Sequence, residues 1–131
     1  MLPETAKFLK AWHAAIAEKD INLLDGHIAD DAVFRSPAFW SPKSGKPVLQ
    51  AVLWAASELL EDFTYTKEWI DGHEVLLEFD ARVGGKSVKG IDRFWLDDQG
   101  RITEMEVLVR PLNGLAALAR GMGEKLGLNA G

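Results

Sequence analysis

Asp92 is where a carboxylate interrupts an otherwise apolar set of residues spaced two apart. If residues 86–96 form a strand, Val88, Gly90, Asp92, Phe94 and Leu96 share one face, and Ser87, Lys89, Ile91, Arg93 and Trp95 share the other. A carboxylate on an apolar wall must be paired, hydrated or protonated, because an isolated buried charge is too costly to keep. Burial raises its pKa, and a carboxyl titrating near neutral pH is suited to acid or acid/base catalysis. The bland alternative is that Asp92 pairs with a buried donor such as the indole N–H of Trp12 or Trp54, or with a cavity water, and does no chemistry.

Other candidates carry weaker signals. Arg35 alternates away from Phe34 and Ser36, so it forms an outward salt bridge unless a twist or bulge turns it to a pocket mouth, where it would hold an anion or pair with Asp92. The aromatic residues Trp12, Phe39, Trp40, Trp54, Phe63, Tyr65, Trp69 and Phe94 are enough to line a site for a flat or cyclic apolar ligand, although several must be ordinary core. His13, His27 and His73 are the only histidines. None of them is spaced like a metal-binding pair on one helix, so no metal or cofactor is expected.

The elements that must position these residues follow from periodicity. Pro3 suits a helical first turn, and Phe8, Leu9, Trp12, Ala15 and Ile16 fall on one face of a helix over about 4–18. Asp20 can cap a short second helix with Ile21, Leu23, Leu24 and Ile28. Asp30-Asp31 breaks that pattern, and 32–36 reads as a strand stopped by Pro37. A loop over 39–45 precedes a third helix over 46–60. Turn residues at Asp71-Gly72, Gly84-Gly85 and Asp97 to Gly100 then divide four alternating strands, about 63–70, 73–83, 86–96 and 101–110. Short turns make these an antiparallel meander, and a last amphipathic helix follows Pro111.

Composition bounds the rest. A chain of 131 residues with 47% hydrophobic content can build a core without staples. One domain is expected over 1–126, with a flexible tail over 127–131. The absence of cysteine removes disulfides, thiol nucleophiles and thiolate metal sites. A net charge of −5 without a Lys/Arg cluster argues against a nucleic-acid partner. No leader pattern and no membrane-length apolar run are present, so a cytoplasmic protein without a membrane partner is expected. The half-apolar outer face with Ile91 and Trp95 suggests a homodimer contact.

The order of elements, the block Ala29-Asp30-Asp31-Ala32-Val33-Phe34-Arg35-Ser36-Pro37, and Gly90-Ile91-Asp92-Arg93-Phe94 with Asp98-Gln99-Gly100-Arg101-Ile102 resemble the SnoaL-like branch of the nuclear transport factor 2-like superfamily. That resemblance implies an α+β fold: a cone-shaped, strongly bent, antiparallel-rich sheet wrapped around N-terminal helices, with a C-terminal helix. It implies a small-molecule pocket but not one activity, because the fold hosts isomerases, cyclases, dehydratases and binding proteins. Ketosteroid isomerase, within the superfamily, shuttles a proton on an aspartate while a tyrosine and a protonated aspartic acid hold the oxyanion. Matched to these blocks, Asp92 falls on the protonated acid, Ser36 on the base and Trp12 on the tyrosine. An unaided serine does not take a proton from carbon near neutral pH, so that mechanism is not expected. A group of SnoaL-like proteins with histidines in the first strand and loop is also similar, but this chain has Arg35 and Trp40 at those places.

The candidate catalytic residue is therefore Asp92. The candidate substrate-binding residues are Trp12, Phe34, Arg35, Ser36, Trp40, Trp54, Phe94 and Met105. The expected activity is acid/base chemistry on a small apolar or cyclic carbonyl compound. A non-catalytic binding or dimerisation module of the same fold is the alternative.

Overall fold

A computed structural model describes residues 1–127. The elements run α1 (Pro3–Glu18), a 3₁₀ helix (Ile21–His27), β1 (Ile28–Arg35), β2 (Lys43–Ser44), α2 (Lys46–Leu59), β3 (Glu61–Asp71), β4 (Glu74–Val83), β5 (Lys86–Leu96), β6 (Ile102–Arg110) and α3 (Leu112–Leu126). The six strands form one curved sheet in the order β2-β1-β6-β5-β4-β3. Helices α1 and α2 fill its concave side and α3 packs over the β4–β6 end. This is the expected α+β cone.

Local chemistry explains the frame. Pro3 opens α1, and Thr5, Phe8, Leu9, Trp12 and Ala15 form its buried stripe. Thr5 satisfies its hydroxyl on the carbonyl of Gly72 at 2.9 Å, which ties α1 to the β3–β4 turn. Phe8 and Trp12 stack on each other, and both meet Phe94 of β5 edge-on, with centroids 5.1 and 4.7 Å away. Strands β3 to β6 are the expected meander. Strand β6 also pairs with β1 in parallel, which extends the sheet beyond the hairpins.

Three expectations at element ends change. The second helix is a 3₁₀ turn ending at His27, and Ile28 already belongs to β1. Asp30 and Asp31 do not end a helix: they sit in an exposed stretch of β1 where the register against β6 shifts between Ile28 and Val33. The 39–45 loop contains the two-residue strand β2, whose Lys43 and Ser44 pair with Phe34 and Val33. Of the tail expected over 127–131, Gly127 caps α3 with φ 65° and the remainder lies outside the described residues. No described helix is long and apolar enough to cross a membrane.

Gly90 sets how closely the sheet packs on itself. A Cβ there would land on the Phe79 ring and come within 2.7 Å of the Leu108 carbonyl oxygen. The bare backbone lets Phe79, its direct cross-strand partner, fold its ring inward against Phe63. Gly90→Ala is predicted to cost about 1–3 kcal/mol of stability, read as a lower urea midpoint. An unchanged midpoint would show that the Phe79 ring and strand adjust freely.

Candidate active site

The site begins with the alternation of β5. Its residues are buried from Val88 through Leu96 at every second position, and Asp92 keeps this rhythm at 6% exposure. Leu77 and Val107 flank Asp92 on the two neighbouring strands. Asp92 forms part of the wall of a cavity of about 170 Å³ lined by the sheet, α1, α2, α3 and the segment from Ser36 to Phe39.

One hydroxyl reaches that carboxyl. Tyr65 on β3 donates to Asp92 Oδ2 at 2.8 Å, and Trp12 Nε1 on α1 donates to the Tyr65 oxygen at 2.7 Å. The chain Trp12–Tyr65–Asp92 thus links a helix, an edge strand and a central strand. Burial pushes the Asp92 carboxyl from its ordinary 3.8 up to about 7, and the Tyr65 hydrogen bond offsets part of that rise. Burial and then the neighbouring Asp92 charge hold the Tyr65 phenol well above its ordinary 10, so it acts as a donor.

Tyr65 counted among the pocket aromatics in the sequence, but not as the partner of Asp92. A β-bulge conceals the connection. Ile70 faces Val75 and Lys67 faces Glu78, yet Tyr65 faces Phe79, so one extra residue is inserted at Thr66. Strict alternation counted back from Ile70 would turn Thr66 and Thr64 inward; the bulge reverses the parity and turns Tyr65 and Phe63 inward instead. In the alternative where Asp92 pairs with a buried donor, the donor is the Tyr65 hydroxyl and not an indole: Trp12 reaches Asp92 through Tyr65, and Trp54 makes no bond to it.

The other named residues divide into two groups. Trp12, Phe34, Ser36 and Met105 line the cavity with Asp92. Ser36 Oγ accepts from the backbone N–H of Ala38 at 3.0 Å, which leaves its own O–H to donate elsewhere. The remaining four lie off the cavity wall. Arg35 points to the opposite side of β1 and bonds Glu104 at 2.8 Å, the outward bridge that alternation allowed. Trp40 is 96% exposed in the loop after Pro37, with no strand or helix to turn it inward. Trp54 lies off the buried stripe of α2 formed by Leu49, Val52 and Leu53, and the Lys125 ammonium lies 5.5 Å from its ring. Phe94 is fully buried behind the wall, between Phe8 and Trp12.

The histidines are occupied elsewhere. His13 meets Glu68, His27 meets the Gly100 carbonyl, and His73 meets Glu4. Among the described residues no three His, Asp or Glu side chains converge as metal ligands would. Among the described residues Asp92 is the sole carboxylate on the cavity wall, and its carboxyl can both take up and release a proton near neutral pH.

Residues 9–105 match the SnoaL-like domain. The chain belongs to that family. Among solved structures, a steroid delta-isomerase from Pseudomonas aeruginosa is 43% identical, with a TM-score of 0.93 over 97% of this chain and 94% of that one. A Silicibacter pomeroyi protein described as having a cystatin-like fold is 26% identical, with a TM-score of 0.86 over 94% and 87% of the two chains. A Catenulispora acidiphila protein of ketosteroid isomerase-like fold, solved in complex with trimethylamine, shares the fold at 19% identity and a TM-score of 0.63. It covers 88% of this chain and 94% of that one. No curated protein sequence matches.

A carboxyl held above its ordinary pKa destabilises the fold when it ionises. The folded SnoaL-like chain binds the Asp92 proton more tightly than the unfolded chain, so this stabilisation is complete below about pH 4 and is lost as pH rises through about 7. The interval between 3.8 and about 7 corresponds to roughly 4 kcal/mol. Asp92→Asn, whose amide oxygen can still accept from Tyr65, is therefore predicted to be more stable than the parent at pH 8.5 by a few kcal/mol. Urea denaturation should show that gap shrinking toward pH 5; a parent as stable as the variant at pH 8.5 would contradict it.

Proposed function

We propose that this SnoaL-like protein takes a small cyclic carbonyl compound with an apolar body into its cavity and moves a proton on it with Asp92, as an isomerase does. The observation that carries this reading is a nearly buried carboxyl on a largely apolar cavity wall, held by Tyr65 and brought by burial to about pKa 7. A group with that pKa divides between its two forms near neutral pH, so it can accept a proton in one step and return it in the next. The 43% identity to a structure described as a steroid delta-isomerase supports the reaction type.

In this scheme the ionised Asp92 breaks a C–H bond next to the carbonyl and takes the proton, leaving its electron pair in an enolate. The Ser36 hydroxyl donates to the enolate oxygen. Asp92 then delivers that proton, or a solvent proton exchanged for it while the enolate is held, to a conjugated carbon, so the double bond moves and no co-reactant is consumed. Tyr65 keeps the carboxyl in place through its bond to Oδ2, and the largely apolar walls limit the water that would otherwise level its pKa.

A second copy of the chain across the outer face of the sheet belongs to the same proposal. That face presents Leu108 at 50% exposure and Trp69 at 40%. Arg93 lies 4.2 Å over the Trp95 ring beside them.

The test is proton exchange at the carbon next to the carbonyl of cyclic enones and ketones in D₂O, followed by NMR. Exchange should rise with pH to a plateau, with its midpoint near 7, because the ionised form is the base. Asp92→Asn should lower it by at least about 100-fold. Ketones that bind without exchanging in the parent protein would make the chain a binding module, and an active Asp92→Asn would remove Asp92 from the chemistry.

A further inference from the structure

The charged groups around the cavity are unevenly placed. The chain carries 20 acidic and 15 basic residues, yet among the described residues the charged ones that line the cavity are Asp92 within its wall and two exposed lysines, Lys19 and Lys43. Among the described residues neither lysine forms a salt bridge. Asp20, next to Lys19, uses its carboxylate to accept from the Asn22 N–H at 3.1 Å. Lys43 stands on the two-residue strand β2 with its ammonium 6.0 Å from the ring of Phe39, itself a lining residue.

Lys19 is also conformationally unusual. It ends α1 in the left-handed region, with φ 52° and ψ 42°. Glycine takes that C-terminal position without steric cost, whereas a residue with a Cβ does not. A residue with a long cationic side chain is thus carried where the backbone favours none, and Lys19 is among the residues that line the cavity. A costly backbone conformation at a ligand-facing position points toward function.

We infer that the compound held in this cavity is amphipathic and anionic: its apolar carbonyl-bearing body lies against the inner wall, and a carboxylate at its other end is held at the mouth by Lys19 and Lys43. The inference rests on the reading of the cavity as a ligand site and names the class of ligand. The two cationic groups are solvent-exposed, so the carboxylate keeps much of its hydration and escapes the desolvation that a buried anion would suffer. The apolar body supplies affinity, and the lysines select the end that stays outside.

The experiment compares 4-phenylbutanoate with 4-phenylbutan-1-ol, which share a body and differ in the head, by NMR shift titration at low ionic strength. The carboxylate should bind the parent protein about threefold to tenfold more tightly. In a Lys19→Gln, Lys43→Gln double variant the two dissociation constants should converge. Lys19→Gly should lower carboxylate affinity while leaving the urea midpoint equal or higher, which separates a ligand contact from a structural role. Equal binding of both probes by the parent, or a preference that survives in the double variant, would overturn the anionic head and leave the cavity reading intact. Failure of both probes to bind would overturn the two together.

Discussion

A carboxyl group inside an apolar cavity is tolerated only while something else carries the cost of its charge. In this protein the proton does so below neutral pH, and one hydrogen bond from Tyr65 does a smaller part of it above. Geometry has to deliver that bond from a strand two places away in the sheet. The bulge at Thr66 turns Tyr65 inward, the ring of Phe79 packs into the space left by Gly90, and Trp12 donates to the phenol from α1. The curved sheet, the first helix and the edge strand therefore meet at a single carboxylate, and the chemistry depends on their agreement.

The fold was largely legible because its signals are local and mutually consistent. Alternation through β4 and β5, glycine-bearing turns at Gly72 and Gly84-Gly85, and the proline-led helices each favour the same architecture. Asp92 was legible for the same reason, since one polar residue in an apolar alternation marks itself. Its partner was not. Tyr65 reaches the cavity only because period two fails at Thr66, and nothing in the residues from Thr64 to Lys67 announces a bulge.

The remaining site residues divide by how firmly their backbone directs them. Phe34, Ser36 and Met105 lie on or beside strands whose alternation fixes their side, and all line the cavity. Trp40 sits in an irregular loop and Trp54 beside, rather than on, the buried stripe of its helix; aromatic character alone could not say which way either would turn. Phe94 shares a face with Asp92 but meets the aromatic layer of α1, so it supports the wall from behind. Membership in the SnoaL-like family fixes the scaffold, while the Trp12–Tyr65–Asp92 chain, at the level of individual atoms, is what separates this cavity from an ordinary core.

The account stands on the protonation of one group, and that group can be observed directly. Site-resolved carbon NMR of the Asp92 carboxyl across a pH titration should give a midpoint near 7 in the parent protein. In Tyr65→Phe, which removes the hydroxyl favouring the charged form, the midpoint should move higher. A parent carboxyl that titrates near 4, or one unmoved by the loss of the Tyr65 hydroxyl, would contradict it.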